Sequence, residues 1–133
     1  MRSSQDTYTL ANGVNMPCIG LGTYQSPDAV ASAAVKDAMA AGYRLIDTAA
    51  AYGNERGVGQ GIRISGVPRE EIFVTSKLRN AAHGYQATLE AFDMTTEAIT
   101  GKLMWILGQT KDPARIHRLF YTPVANDILN YRT

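Results

Sequence analysis

Cysteine is almost missing from this chain. Cys18 stands alone among 133 residues, so no internal disulfide can form, and its setting reads as a buried strand residue rather than a reactive thiol. The two histidines, His83 and His117, lie far from each other and from Cys18, which leaves no metal-ligand spacing; the expected metal complement is none. No apolar run approaches the roughly 18 residues of a membrane span. The polar opening Met1-Arg2-Ser3-Ser4-Gln5-Asp6 lacks the hydrophobic core of a signal peptide, so the cytoplasm is the expected compartment. An excess of either charge is missing too: 13 basic against 12 acidic residues leave a formal +1 with no basic run, and neither nucleic acid nor membrane is an expected partner.

What is present is the composition of one soluble globular domain, 45% hydrophobic and 19% charged. Tyr8-Thr9-Leu10 and Val14-Asn15-Met16 flank Asn12-Gly13, a dipeptide suited to the tight turn of a hairpin. Cys18-Ile19-Gly20-Leu21 reads as a strand whose glycines suit a close backbone or ligand approach. Ser26-Pro27-Asp28 then predicts a helix start with a side-chain N-cap, and Val30, Ala34, Ala38 and Ala41 its inward stripe before Gly42 stops it. Leu45-Ile46 predicts a second strand, 54–64 a second helix with Val58 and Ile62 on one face, and 72–76 a third strand after the turn at Gly66-Val67-Pro68. This alternation with short connections argues for parallel βαβ units. Tyr85 opens a third helix with Leu89 and Phe92 on its apolar face.

The candidate chemistry sits where strands end. Leu45-Ile46 runs into Asp47, a small-residue loop delivers Tyr52, and Ile72-Phe73-Val74 leads through Thr75-Ser76 to Lys77. In a β/α barrel the chemistry is built at that end of the strands. Taken alone, a carboxylate, a phenol and an ammonium at such spacings are better explained by a structural ion pair. Gly57, Gly59 and Gly61 lack the strand-turn-helix context of a dinucleotide fingerprint and are not read as one, and Arg69-Glu70-Glu71 reads as a solvated turn.

The surrounding text decides between these readings. Asn12 to Pro17, Gly20-Leu21-Gly22-Thr23, Ala41-Gly42-Tyr43-Arg44, the block from Asp47 to Glu55, Ser65 to Glu71 and Ser76-Lys77-Leu78 together resemble the N-terminal part of the aldo-keto reductases, of the diketogluconate reductase-like type, over about residues 8–92. The resemblance implies an α/β fold, the first three βα units of a (β/α)₈ TIM barrel closed below by the hairpin. It implies NADP(H)-dependent reduction of aldehyde or ketone carbonyls. Tyr52 matches the family's general acid, Lys77 the ammonium that stabilises the phenolate, and Asp47 the carboxylate that holds the lysine. Gly22, Thr23, Tyr24 and Asp47 match the cofactor-contacting positions. The family's substrate-orienting histidine has no counterpart: His83 falls in the loop after the third strand and His117 lies far along the chain, and each reads as a surface or packing residue.

A whole barrel takes about 250 residues, so about three or four of its units are expected here, without the late loops that hold the NADP phosphates. From Asp93 the text changes. Residues 93–132, beginning Asp93-Met94-Thr95-Thr96-Glu97-Ala98, resemble the C-terminal part of bacterial type I asparaginases, although that family's catalytic patterns do not occur and no asparaginase activity is implied. The expectation is therefore a partial barrel over 1–92 and an all-helical tail over 93–133, chimeric or truncated. Its helices are expected over about 85–107, from Asp112-Pro113 with Ile116, Leu119 and Phe120 inward, and from Thr122-Pro123 through Leu129. Two functions are expected: an incomplete carbonyl reductase, weakly active or inactive for want of the histidine strand and the late cofactor loops, and a non-catalytic module that self-associates through open sheet edges.

Overall fold

The computed structural model describes Ser3 and residues 5–100. Within them the chain forms an antiparallel hairpin and then three parallel strands alternating with three helices. β1 (Thr7–Thr9) pairs with β2 (Asn15–Pro17), Tyr8 opposite Met16. Asn12-Gly13 does form the turn, in a longer loop than a two-residue one: Leu10 N–H donates to Val14 O and Gly13 N–H to Leu10 O. The Asn12 side chain accepts the Val14 N–H at 3.1 Å, and Gly13 takes the left-handed conformation at φ 82°. That side-chain bond substitutes for a ladder bond and opens the loop.

The parallel sheet has the order β3 (Leu21–Gly22), β4 (Leu45–Asp47), β5 (Phe73–Thr75). Leu21 aligns with Ile46 and Gly22 with Asp47, while Ile46 aligns with Val74 and Asp47 with Thr75. The first strand thus starts later than the sequence predicts. Cys18 N–H is drawn to Asp6 O beside the hairpin, and the half-buried Cys18 lies in the connection between β2 and β3. Gly20 passes so close to β4 that a Cβ on it would meet Leu45 Cγ at 2.5 Å.

α1 (Asp28–Ala40) packs on α2 (Glu55–Ser65), which in turn packs on α3 (Tyr85–Thr100). The predicted N-cap does not form: Pro27 occupies the cap position, and the Asp28 carboxylate instead accepts the backbone N–H of Gly57 across the helix pair at 2.8 Å. The inward stripe of α1 is Ala31, Val35 and Met39, not the predicted Val30 and Ala41, which are exposed. In so alanine-rich a helix two adjacent stripes have similar hydrophobicity, and the contact with α2 selects between them.

That contact explains Gly57, Gly59 and Gly61. A Cβ on Gly57 would lie 2.0 Å from Asp28 O, one on Gly61 2.6 Å from Ser32 O, and one on Gly59 2.3 Å from Ile99 O. The three glycines are grooves that receive the backbones of α1 and α3. The core they enclose is Ala31, Val35, Met39, Ile46, Val58, Ile62, Ile72 and Ile99, flanked by Leu21, Val67 and Val74. At about 1.5–3 kcal/mol per fully buried Val, Ile or Met side chain, this cluster is the main source of stability. Val58 and Ile62 face inward as their spacing predicts. α3 runs without interruption across Phe92–Asp93, with Leu89 and Phe92 half-buried and Ile99 buried. The helices expected beyond Thr100, and His117 with them, lie outside the described residues.

Candidate active site

Parallel pairing brings the C-terminal ends of β3, β4 and β5 to one edge of the sheet. The ladder extends beyond the strands: Thr23 N–H donates to Asp47 O, Thr48 N–H to Thr75 O, and Ala50 N–H to Lys77 O. Each loop therefore leaves the sheet in register with its neighbour. Lys77, two residues past the end of β5, is brought beside Asp47 at the end of β4.

The Lys77 ammonium donates to Asp47 Oδ2 at 2.7 Å and to Thr48 O at 3.0 Å. The other carboxylate oxygen accepts the Thr75 hydroxyl. Both side chains are about half exposed, 51% for Lys77 and 46% for Asp47. Burial alone would push the Asp47 carboxyl up, but hydrogen bonds from Lys77 and Thr75 and the lysine charge hold it below the usual carboxylate range. Burial alone would likewise lower Lys77; the Asp47 hydrogen bond and charge, with the Tyr52 phenol oxygen, outweigh it and hold the ammonium above its ordinary value. The pair is a persistently charged couple at neutral pH.

Tyr52 ends a short 3₁₀ turn over Ala50–Tyr52, closed by Gly53 in the left-handed conformation at φ 68°. Its ring lies 5.3 Å from Lys77 Nζ and 5.0 Å, tilted by 58°, from the ring of Tyr24. Tyr24 is 67% exposed and stands on the loop after β3. Gly22 is exposed at the end of β3, and no atom lies within 4 Å of where a side chain would begin. Asp47, Tyr52, Lys77, Gly22 and Tyr24 are thus brought to one face. Thr23 is in the same loop but buried, its hydroxyl donating to Thr48 Oγ1 at 2.9 Å. His83 is exposed in the loop after β5.

Sequence reasoning missed the residues underneath. Asn54 is 1% exposed; its amide donates to Thr23 O at 2.7 Å and Ser26 O at 2.8 Å and accepts the Thr48 hydroxyl at 3.1 Å. Glu55 accepts the Ser76 hydroxyl at 2.6 Å and the Thr95 hydroxyl at 3.2 Å. From sequence, an Asn ahead of a helix reads as an N-cap and a Glu in the first turn as a dipole partner; nothing in the spacing says that both reach sideways. Among the described residues no group of three or more His, Cys, Asp or Glu side chains could hold a metal ion, and no helix is long and apolar enough to cross a membrane.

The structure thus places a strand-end carboxylate against a lysine, with a tyrosine ring beside the ammonium. The family model described as the aldo/keto reductase family matches residues 18–106. This chain belongs to the aldo/keto reductase family. The match runs past Phe92, the end of the sequence resemblance, as far as residue 106. The chain is 52% identical over 100 residues to the 9,11-endoperoxide prostaglandin H2 reductase of Trypanosoma cruzi, covering 74% of this chain and 35% of that protein. It is 51% identical over 98 residues to the glyoxal reductase of Bacillus subtilis, covering 73% and 36% respectively. The solved structure of a Bombyx mori aldo-keto reductase in complex with NADP superposes with a TM-score of 0.66 at 38% identity, over 73% of this chain and 35% of that one. The chain thus spans about a third of the length of the relatives it matches, and the three parallel βα units correspond to part of their TIM barrel.

Proposed function

We propose that this aldo/keto reductase chain carries the proton-donating corner of an NADP(H)-dependent carbonyl reductase. The observation that supports this most is the Lys77–Asp47 pair at 2.7 Å, with the Lys77 ammonium 5.3 Å from the Tyr52 ring centre, at the ends of adjacent parallel strands. Tyr52 acts as the general acid, giving its phenolic proton to the oxygen of an aldehyde or ketone. The Lys77 charge stabilises the negative oxygen that remains, and Asp47 keeps that lysine charged and aimed.

The residues present fit a nicotinamide cofactor. The open surface over Gly22 gives a backbone shelf beside Asp47, and the exposed Tyr24 ring offers a flat apolar face at its edge. Gly22, Tyr24 and Asp47 would hold the nicotinamide and its ribose, with Thr23 setting the loop from below. Bound NADPH supplies the hydride; the protein's own part is to orient the carbonyl and move one proton from Tyr52. The NADP-bound Bombyx mori relative supports the cofactor, and the glyoxal reductase relative supports a small carbonyl substrate.

Titration of the purified chain with NADPH, followed by nicotinamide fluorescence and by turnover of glyoxal, tests this reading. Saturable binding with turnover abolished in Tyr52→Phe and Lys77→Met supports it; turnover unchanged in both variants overturns the assignment of roles. A second reading, a non-catalytic module that self-associates, is supported by β3 and β5 each having one strand neighbour among the described residues. A concentration-independent monomer by light scattering counts against it.

A further inference from the structure

We infer that Asn54 and Glu55 are a pair of opposed positioning residues, Asn54 fixing the loop that carries Tyr24 and Glu55 fixing the segment that carries Lys77, with Tyr52 held between them. The inference rests on the functional reading above for its catalytic meaning but on geometry alone for the placement. Neither residue touches the reacting groups. They follow Tyr52 directly, separated only by Gly53, and their side chains leave the chain in different directions.

Asn54 reaches back toward β3. Its amide N–H₂ bonds two carbonyls, Thr23 O and Ser26 O, that bracket Tyr24 and Gln25. Ser26 N–H also closes onto Thr23 O at 3.2 Å, making a four-residue turn with Gln25 at φ 60°, a conformation that favours glycine. A strained turn persists only where its surroundings over-determine it, and a buried amide gripping both ends does that. The strain is held for a geometric result: the Tyr24 ring set against the Tyr52 ring at 5.0 Å.

Glu55 reaches forward. One carboxylate oxygen takes the Ser76 hydroxyl and the other the Thr95 hydroxyl of α3. Ser76 directly precedes Lys77, so this bond anchors the backbone from which the lysine extends to Asp47. Hydrogen bonds to a charged group are stronger than neutral ones, and through them Glu55 ties that segment to both α2 and α3. The two residues divide the site, so their loss should be felt on different sides.

The test uses readouts of placement that do not need turnover. Photo-oxidation of the full chain, with peptide mapping by mass spectrometry, measures the yield of the Tyr24–Tyr52 dityrosine link. Competitive labelling with acetic anhydride across pH measures the titration of Lys77. In Asn54→Ala the dityrosine yield should drop several-fold while Lys77 titrates as in the wild type. In Glu55→Ala the Lys77 titration should move down toward the ordinary lysine value while the dityrosine yield holds, and Glu55→Gln, which keeps acceptor and shape, should restore part of the shift. If Asn54→Ala does not stay folded, Asn54→Asp removes the two donated bonds while keeping the oxygen that accepts from Thr48. Variants that move both readouts together, or neither, overturn the inference. NADPH binding and glyoxal turnover in the wild type are scored separately: their absence defeats the proposed function and leaves the placement result to stand or fall on the labelling.

Discussion

Replacing Gly57 with alanine sets two physical effects against each other, and the structure decides the sign. Helix propensity alone favours Gly57→Ala by about 1 kcal/mol. Against it, the new Cβ would lie 2.0 Å from Asp28 O and 2.7 Å from Asp28 C, where uncharged atoms rest about 3.5 Å apart or more. The obstacle is the backbone of α1, which cannot rotate away as a side chain could. α1 and α2 must therefore separate, loosening the contacts among the fully buried Ala31, Val35 and Val58. Overpacking of this kind costs about 1–3 kcal/mol, occasionally more, and a backbone obstacle belongs at the upper end. Subtracting the propensity gain leaves about 2 kcal/mol, a fall in Tm of about 7 °C for a chain of 133 residues. Far-UV circular dichroism melts of the wild type, Gly57→Ala and the exposed control Gln60→Ala measure it, with the control staying within about 0.5 kcal/mol. A Gly57→Ala chain that melts at or above the wild-type temperature would refute the close helix approach and the role given to the three glycines.

Other outcomes follow from the site. Tyr52→Phe should lower any glyoxal turnover by about 10²–10⁴-fold, the usual contribution of a positioned general acid, with NADPH affinity little changed; a loss confined to affinity would contradict the role. The Asp47–Lys77 pair has a defined pH window. The Asp47 carboxyl is lowered and the Lys77 ammonium raised relative to their ordinary values. The stabilisation is therefore full between about pH 4 and 10.4, lost as acid titrates Asp47 and lost again as base titrates Lys77. For so exposed a pair it should be below about 1 kcal/mol. Urea melts of the wild type and Lys77→Met should differ by a constant amount across that window and converge beyond it; a difference that instead grows toward acid would show that the sign is wrong. Gln25→Gly should stabilise by about 0.5–1 kcal/mol, the relief of a positive φ less the entropy glycine loses on folding, as read by the same melts; a loss of stability would mean that the Gln25 side chain contributes more than its backbone costs.

The strand-end residues were legible because parallel βα units put one end of every strand on the same edge. Asp47 and Lys77, 30 positions apart, could be paired from the apolar runs that precede them, and the structure joins them at 2.7 Å. Val58 and Ile62 were legible from their spacing of four, which puts the two large apolar side chains on one helix face. The face of α1 was not. Val30, Ala31, Ala34, Val35, Ala38 and Met39 offer two overlapping stripes, and the period alone cannot rank them. The start of the first strand was equally hidden, because Cys18 N–H has a competing acceptor in Asp6 that no local rule anticipates.

By itself, then, the sequence determined the alternation of strands and helices, the turn at Asn12-Gly13, and the charged and phenolic groups that reach the strand ends. These follow from local preference and period, which act over a few residues. Tertiary structure alone decided which face of α1 turns inward, why Gly57, Gly59 and Gly61 lack side chains, and that Asn54 and Glu55 reach sideways instead of capping their helix. Each of those depends on a neighbour distant in sequence: the backbone of another helix for the glycines, the Thr23 and Ser26 carbonyls for Asn54, and the Ser76 and Thr95 hydroxyls for Glu55. A close approach or a buried hydrogen bond has no counterpart in local propensity, because its partner is supplied only when the chain has folded around it.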